Sequence, residues 1–445
     1  LVSAWIAGLL AAQIMPPTYG PWFCLPTGIG LLYLLARGQR PRVSGLVGLV
    51  GGLGYFLPLL RWMDVVGTDA WLLLTMLCAS WWWLGFGLLP RLSSLRNSAL
   101  AFATLWTGLE VLRDTIPWGG FGWAQFGLAV PLTPLTGLAP NLGQIGSTWL
   151  IAAISCQGAE WLHQRRPPQV TLRALAVVAI VVTLAFVPLN FGLVNHSQSA
   201  RVSVVQGGVD HYGLGSFGDI RAVLQRHVDT TLMNREVVDT TDLVVWPENA
   251  ADINPQTDLV AARMVNDVIS VIRPPILMGA VQSQPDNTLH NISLLWSRTG
   301  NREVYIKRKV VPFGEYMPMR EWITALTDRA ALMPRDFSPG NTHGSIDIAN
   351  VHFGILICFE VADAGLALTD DDNASAWIVH TNNATYQFTG QSEQQLLAGQ
   401  MRAAETQRPF IISSTSGISA IIAPDGSVTD RLGQTETGVL AATLE

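Results

Sequence analysis

The sequence predicts two parts of different fold class: a bundle of apolar helices over residues 1–195 and an α/β domain over residues 196–445. Charge divides at nearly the same place, because residues 1–200 carry a net charge of +5 and residues 201–445 carry −11. A chain of 445 residues is also too long to favour a single core. Neither part has the basic stripe that is typical of nucleic-acid binding. We therefore expect a multi-span α-helical membrane bundle followed by an acidic α/β domain.

Seven apolar runs predict about seven transmembrane helices in the first part. A spanning helix needs about 20 apolar residues, and the fourth, sixth and seventh runs reach that length. The first two are shorter and are separated by Pro16-Pro17, and the chain begins at Leu1 rather than Met, which suggests a trimmed start. A cleaved signal peptide would explain the first run alone. The runs cover roughly residues 1–15, 22–36, 43–60, 70–90, 97–112, 141–160 and 174–192.

Arginines in the connections predict the orientation of this bundle. Connections after the second, fourth and sixth runs contain eight arginines, whereas the alternate connections contain only Arg61 and Arg113. Positive residues concentrate in cytoplasmic loops, so we expect the N-terminus in the cytoplasm and everything after about residue 195 outside. The eight are Arg37, Arg40, Arg42, Arg91, Arg96, Arg165, Arg166 and Arg173.

The connection between the fifth and sixth runs is rich in aromatic residues and glycine. It contains Trp123 within residues 117–127, and such residues favour the membrane interface. Glu110, Arg113 and Asp114 stand at the outer end of the fifth run. Ionisable groups there fit a functional site, but pairing near the interface is the simpler explanation.

Short apolar runs divided by turns and helices predict α/β layers in the second part. Amphipathic helices are expected over residues 219–238 and 391–408, and Pro424-Asp425-Gly426 predicts a turn between the last strands. The predicted strands are Val202–Val205, Leu243–Trp246, Ile276–Val281, Ile292–Trp296, Val351–Cys358, Ala376–His380, Phe410–Ser413 and Ile418–Ala423.

The run from Val351 to Cys358 predicts a strand that is covered on both faces and ends in a cysteine. Of the four cysteines, only Cys358 lies outside the apolar runs of the first part. Taken alone, Cys358 also fits a small apolar core residue. At the end of a strand, where the chain turns, its sulfur would instead face a cleft.

Two further positions supply the chemistry that a cysteine nucleophile needs. Glu248 follows a buried strand and a proline, and Lys307 and Lys309 are the only lysines among 27 basic residues. A carboxylate near a thiol takes its proton, and an ammonium lowers the thiol's pKa and stabilises an oxyanion. The alternatives are a solvated turn for Glu248 and a chance basic turn for the lysines. On a strand, Lys307 and Lys309 would share one face, so direction does not choose between them.

The ordered motifs of the chain resemble those of the nitrilase superfamily, and in particular its apolipoprotein N-acyltransferase branch. The resemblance rests on Trp246-Pro247-Glu248, on Lys307 with the block Val311–Tyr316, and on Ile357-Cys358-Phe359-Glu360. It covers nearly the whole chain. Further matching segments are Gly120–Trp123, Val205–Gly207, Asn291, Phe337–Gly340, Met401–Glu405 and Gly417-Ile418.

The resemblance implies a four-layer αββα nitrilase-type sandwich outside the membrane, with no metal or cofactor. It implies that Cys358 is the nucleophile, Glu248 the base and Lys307 the residue that holds the oxyanion. Glu315 and Glu360 match acids that support the site. Substrate contacts are expected from Asn291, Phe359, Tyr386, Phe388 and Trp123.

The resemblance also implies a reaction and its partners. An acyl chain passes from a phospholipid to the cysteine as a thioester, and then to the α-amino group of the S-diacylglyceryl cysteine that begins an apolipoprotein. Both substrates are anchored in membrane lipid, and a water-poor mouth would favour the amine over water. The expected location is the cytoplasmic membrane, with several spans and an extracytoplasmic catalytic domain. Some relatives are fused to, or associate with, a polyprenol-phosphate mannose synthase, and the sequence shows no such contact.

The chain departs from the family pattern at three places. Phe359 stands where the family usually has Tyr, and residues 382–388 differ from the family's Asn-Asp-Ala-Trp-Phe-like stretch. These two changes concern substrate contacts rather than the three catalytic residues. The chain stops at Glu445, where the family usually adds a spanning helix, so either the chain is truncated or it lacks that helix.

Two other functions compete with the acyltransferase. A membrane-tethered amidase of the nitrilase type would use the same three residues, although seven spans are excessive for a tether. A non-catalytic membrane scaffold or transporter would be expected to lose at least one of Glu248, Lys307 and Cys358, and all three are present.

Overall fold

The described residues of the computed structural model form two compact units. One unit contains the N-terminal helices together with Thr389–Glu405, and the other contains the remaining described residues from Ser199 onward. The expected boundary near residue 195, the seventh apolar run and four of the eight loop arginines lie outside the described residues. The structure describes residues 1–95, 97–163, 199–213, 221–326, 333–369 and 373–444.

Helices of the first unit coincide with the first six predicted runs. By length and composition, α3 and α4 are the helices able to cross a membrane among those described, so the seven-span bundle stays a prediction. The last helix is kinked at Gly143, whose φ is +60°. The helices are α1 (Val2–Ala12), α2 (Cys24–Ala36), α3 (Pro41–Leu59), α4 (Thr68–Leu92), α5 (Ser98–Arg113) and α6 (Ala139–His163).

The charged group at the end of α5 forms a buried ion pair. Arg113 donates to Glu110 at 2.7 Å and also to the carbonyl oxygens of Phe121 and Trp123. Both charged side chains are almost fully buried. The pair therefore holds the aromatic connection against its own helix, which favours the simpler of the two explanations.

Two six-stranded mixed sheets form the second unit, in the orders β12-β1-β2-β3-β4-β5 and β11-β10-β9-β8-β7-β6. In each sheet three central strands are parallel and the outer pairs are antiparallel. The strands are β1 (Ala200–Gln206), β2 (Leu243–Val245), β3 (Ile276–Ser283), β4 (Leu289–Ser297), β5 (Gly300–Ile306), β6 (Gly344–Ile348), β7 (Val351–Ile357), β8 (Ala376–Thr381), β9 (Phe410–Ser414), β10 (Ser419–Ile422), β11 (Val428–Leu432) and β12 (Gly438–Leu444). The helices of this half of the chain are α7 (Ala222–Met233), α8 (Arg235–Val238), α9 (Leu259–Val271), α10 (Arg320–Leu326), α11 (Ala364–Thr369) and α12 (Gln391–Thr406), the last of which packs in the first unit.

The inner faces of the two sheets share one apolar core. Val204 and Val245 of the first sheet pack in one cluster with Ile355 and Ile378 of the second. Burying an aliphatic side chain of this size stabilises the fold by about 1.5–3 kcal/mol. Helices α7 and α9 cover the outer face of the first sheet through a second cluster around Trp246. The predicted α/β sandwich is confirmed, and a helical layer outside the second sheet stays a prediction.

The predicted strands all occur, with ends that differ by a few residues, and the predicted turn at Pro424-Asp425-Gly426 lies between β10 and β11. No bounds were predicted for the edge strands. These are β5 and β12 of the first sheet and β6 and β11 of the second. An edge strand is covered by fewer neighbours, so β5 begins with four exposed or polar residues and shows no apolar run. Helix α9 was also missed.

Helix α12 packs among the N-terminal helices through one glutamine. The Gln394 side-chain oxygen accepts from the indole nitrogens of Trp123 at 2.6 Å and Trp62 at 3.1 Å. Its amide nitrogen donates to the carbonyl oxygens of Pro16 and Leu59. At the other end of the helix, Glu405 accepts from the backbone N–H of Gln144 at 2.8 Å, and a Cβ at Gly143 would lie 2.5 Å from the same carboxylate.

Candidate active site

Glu248 is held just past the end of β2. Pro247 has no N–H to donate, so the ladder stops there. Gly279 of β3 lies directly beneath, because a Cβ at Gly279 would approach the Glu248 Cα to 2.6 Å. The carboxylate is nine-tenths buried and therefore points into the domain rather than into solvent. The alternative of a solvated turn is excluded for Glu248.

Cys358 stands at a sharp turn after β7. The strand ends at Ile357, and Cys358 opens a short 3-10 helix with φ of +54°. A non-glycine residue in this left-handed region costs on the order of 1–3 kcal/mol and persists where the surroundings impose it, often at functional sites. The observed strand β7 ends one residue before the predicted end. The turn directs the sulfur away from the strand.

Glu360 fastens this turn to the segment that carries the lysines. Its carboxylate accepts from the backbone N–H of Ile357 at 2.8 Å, and from those of Arg308 and Lys309 at 2.8 and 2.9 Å. The Tyr305 hydroxyl donates to both of its oxygens. Burial raises the pKa of Glu360, and these donors oppose the shift. Glu360 thus has a positioning geometry, because its fully buried carboxylate joins the backbone of the Cys358 turn to that of the lysine segment.

Lys307 lies between two carboxylates, those of the buried Glu248 and the partly buried Glu315. Its ammonium is 2.7 Å from a Glu315 oxygen and 3.7 Å from a Glu248 oxygen, and the side chain is 1% exposed. Burial alone would lower the pKa of Lys307, but Glu315 and Glu248 outweigh it and hold the pKa above its ordinary value. The lysine therefore stays charged at neutral pH.

Asn291 binds the same two carboxylates from the other side. Its amide nitrogen donates to Glu248 at 2.6 Å and lies 3.3 Å from Glu315. Glu315 is fixed further by the backbone N–H of Val311 at 2.7 Å. The structure places the amide nitrogen of Asn291 on the acids of the site, and a contact between Asn291 and substrate stays a prediction.

Glu248 and Cys358 are in direct contact. The two side chains share a hydrogen bond, and Cys358 lies close enough to Lys307 to influence its pKa. Burial raises the pKa of Glu248, while Lys307 opposes that shift. A carboxyl group with a raised pKa is a stronger base than an exposed one. The three side chains thus lie together as a thiol, a carboxyl group hydrogen-bonded to it and a buried ammonium beside both.

The side chains of Lys307 and Lys309 have different partners, although on a continuous strand they would lie on the same face. Strand β5 ends at Ile306, so the alternation stops before Lys307. Lys309 instead pairs with Asp363 at 2.6 Å, and its ammonium lies 5.8 Å from the ring centre of Phe359. Geometry therefore separates the two lysines where the sequence left them equivalent.

The remaining expected substrate contacts lie in different surroundings. Phe359 is 7% exposed, whereas Phe388 is 72% exposed and meets Tyr212 edge to face at 5.3 Å. Burial raises the pKa of Tyr386, and the charge of the Cys358 thiolate raises it further by a smaller amount. Trp123 belongs to the first unit, where its indole donates to Gln394.

Two residues that the sequence did not single out contact the backbone around Glu248. His380 donates to the carbonyl oxygen of Trp246, and Thr415 donates to that of Glu248. The available signal for His380 was a polar residue directly after the apolar run Ala376–Val379. The described residues contain no cluster of His, Cys, Asp and Glu suited to a metal ion.

Comparison with known proteins assigns both halves of the chain. Residues 7–157 match the family model of the apolipoprotein N-acyltransferase N-terminal domain, and residues 201–445 match that of carbon-nitrogen hydrolases. The apolipoprotein N-acyltransferase of Mycolicibacterium smegmatis is 33% identical over 97% of this chain and 77% of its own length. The chain belongs to the apolipoprotein N-acyltransferase family.

A second curated relative supports the same membership. The apolipoprotein N-acyltransferase of Azotobacter vinelandii is 29% identical over 98% of this chain and 88% of its own length. Among solved structures, Nit3 of Saccharomyces cerevisiae, described as a member of the nitrilase superfamily, is 19% identical with a TM-score of 0.42, over 56% of this chain and 91% of that chain. The fold assignment rests on the family model and on the two six-stranded sheets.

Proposed function

We propose that this apolipoprotein N-acyltransferase transfers an acyl chain from a phospholipid to the α-amino group of an S-diacylglyceryl cysteine at the start of an apolipoprotein. Family membership supports the overall reaction. The observation that carries the mechanism is the hydrogen bond between Glu248 and Cys358 beside the buried Lys307 ammonium. These groups are the ones that acyl transfer through a thioester needs.

The first half-reaction forms the thioester. Glu248 takes the proton of the Cys358 thiol, and the thiolate attacks the ester carbonyl carbon of the phospholipid. Lys307 stabilises the oxyanion of the tetrahedral intermediate. As the intermediate collapses, the carbon–oxygen ester bond breaks, and Glu248 returns the proton to the departing lysophospholipid oxygen. The enzyme keeps the acyl chain as a thioester.

The second half-reaction passes the acyl chain to the amine. The neutral α-amino group attacks the thioester carbonyl, Lys307 again faces the oxyanion, and Glu248 removes a proton from the attacking nitrogen. The carbon–sulfur bond then breaks, and Glu248 returns this proton to the departing Cys358 thiolate. Glu315 accepts from Lys307 at 2.7 Å, and Asn291 donates to Glu248 at 2.6 Å and to Glu315 at 3.3 Å. These contacts keep Glu248 and Lys307 in place during both steps.

We further propose that residues 1–195 form a multi-span membrane domain and that residues 196–445 supply an extracytoplasmic catalytic domain. The apolar helices α3 and α4 support a membrane location. The distribution of arginines supports the orientation. Both substrates are then anchored in the same bilayer as the enzyme.

Mass spectrometry after incubation with phospholipid tests the mechanism. A hydroxylamine-labile acyl adduct should appear on the peptide that contains Cys358 and should disappear in Cys358→Ala. A diacylglyceryl-cysteinyl peptide should discharge this adduct much faster than the same peptide without lipid, because its anchored chains hold the amine near the thioester. An adduct on another residue, or equal discharge by the two peptides and by buffer, would contradict the proposal and favour an amidase.

A further inference from the structure

The backbone carbonyl groups of Trp246, Pro247 and Glu248 each accept a hydrogen bond. Gly279 of the same sheet donates its N–H to Pro247 at 3.2 Å. The carbonyls on either side are held from the other sheet: His380 donates to Trp246 at 2.8 Å, and Thr415 donates to Glu248 at 2.9 Å. The segment that carries Glu248 is therefore fastened to the sheet that carries Cys358.

His380 stands beside the nucleophile's strand. It lies on β8 in parallel register with Ile357 of β7, the residue directly before Cys358. The side chain is fully buried. A carbonyl oxygen only accepts, so the ring proton is on Nδ1. Burial lowers the pKa of His380 to about 4, which keeps the ring neutral at neutral pH.

Thr415 is fixed on both sides of its backbone. Its N–H donates to the carbonyl oxygen of Thr381 at 3.1 Å, and its own carbonyl accepts from Gly208 at 2.8 Å. It directly follows β9, the strand that pairs with β8. The hydroxyl that reaches Glu248 is thus attached to a rigid support rather than to a mobile loop.

We propose that His380 and Thr415 are positioning residues that set the separation between the Glu248 carboxylate and the Cys358 thiol. The apolar core between the sheets is non-directional and does not by itself fix their offset, whereas two hydrogen bonds of this geometry do. A displacement of about 1 Å at a reacting group can cost on the order of 100-fold in rate. The inference rests on the roles proposed above for Glu248 and Cys358.

Paired substitutions test the two donors. Thr415→Val and His380→Leu remove the donor, whereas Thr415→Ser keeps the hydroxyl and His380→Asn places an amide N–H near the position of Nδ1. Thr429→Val is the matched control, since Thr429 also donates to a backbone carbonyl, that of Ile421, on an edge strand of the second sheet. The measurement is the single-turnover rate of acyl-enzyme formation at varied phospholipid concentration.

Thr415→Val and His380→Leu should lower the maximal acylation rate about 10-fold or more, with the half-saturating phospholipid concentration unchanged. Thr415→Ser and His380→Asn should recover most of the rate, and Thr429→Val should keep it. An unchanged rate in the donor-free variants would overturn the proposal. So would an equal loss in the donor-free and donor-retaining variants at equal melting temperature.

A lipid-free readout separates this inference from the proposed function. The rate at which iodoacetamide alkylates Cys358 depends on removal of the thiol proton and needs no lipid substrate. It should fall in Thr415→Val and His380→Leu, and fall further in Glu248→Gln. If wild-type protein forms no acyl adduct but shows this order of alkylation rates, the proposed function fails and the positioning role stands. Alkylation rates unchanged in Thr415→Val and His380→Leu would contradict the positioning role.

Discussion

Lys307 and Glu315 form a partly buried ion pair whose nitrogen and oxygen are 2.7 Å apart, and the same ammonium lies 3.7 Å from Glu248. The cation is thereby fixed between two carboxylates before any substrate arrives. A preorganised charge of this kind stabilises an oxyanion without further rearrangement. Because the cation must fit between two carboxylates, we expect the activity of the site to depend on the shape of the cation as well as on its charge.

Lys307→Arg should lower the rate of acyl-enzyme formation by roughly 100-fold or more, the usual effect of losing one oxyanion donor. The planar guanidinium does not fit the space of a compact ammonium between two carboxylates. Single-turnover kinetics with phospholipid measure the effect. Lys309→Arg is the control, because Lys309 pairs with Asp363 instead and should retain most of the rate. The opposite ranking of the two variants would assign the role to Lys309.

The acylation rate should fall with decreasing pH at a midpoint above the ordinary range of a glutamate. Burial raises the pKa of Glu248, and only its carboxylate form accepts the thiol proton. As pH falls through this raised pKa, the base becomes protonated and the rate drops about tenfold per pH unit. A pH series of single-turnover rates measures the midpoint. Glu248→Gln should be slow at every pH, and the same acidic limb in that variant would exclude Glu248 as its source.

Gly279→Ala should impair acylation more than it impairs folding. A Cβ at this position would lie 2.6 Å from the Glu248 Cα, so the segment that carries the base must move. The expected loss is at least 10-fold in maximal rate, since small displacements of a catalytic group are costly. Gly438→Ala on the same sheet is the control, because its Cβ would meet only a leucine methyl at 3.5 Å. Equal activity of the two variants would show that β3 adjusts without moving Glu248.

Gln394→Leu should destabilise the unit formed by the N-terminal helices and α12. It leaves the indole groups of Trp62 and Trp123, and the carbonyls of Pro16 and Leu59, without their glutamine partner. Each buried polar group left unpaired costs about 1–3 kcal/mol. Thermal unfolding of the detergent-purified protein, followed by tryptophan fluorescence, measures the loss. The half-buried Gln400 of the same helix offers the control Gln400→Leu, and equal midpoints would contradict the role of Gln394.

A cysteine engineered near Asp425 should react with a membrane-impermeant thiol reagent in intact cells or spheroplasts, and one near Arg40 should not. The arginine count places these positions on opposite sides of the membrane. Labelling is measured by mass shift, with disrupted cells as the control for accessibility. The reverse pattern would place the catalytic domain in the cytoplasm and contradict the proposed lipoprotein substrate.

The sequence by itself determined the central strands, because a strand covered on both faces must be apolar along its length. It also singled out Glu248, Lys307 and Cys358 as candidates for base, cation and nucleophile, since they are distinctive in composition and order. The edge strands β5, β6 and β11 carry no such apolar run, because solvent covers part of their surface. Strands β5, β6 and β11 are defined by hairpin pairing with the adjacent strand of the chain, whereas β12 is defined by pairing with the distant β1.

Only the tertiary structure decided how these groups meet. It ended β5 before Lys307, which separated two lysines that an unbroken strand would have kept on one face. It brought His380 and Thr415 to the backbone of the Glu248 segment from more than a hundred residues away. It also packed α12 among the N-terminal helices through Gln394. Such contacts depend on hydrogen bonds between distant segments, and local residue patterns record the burial of a residue but not its partner.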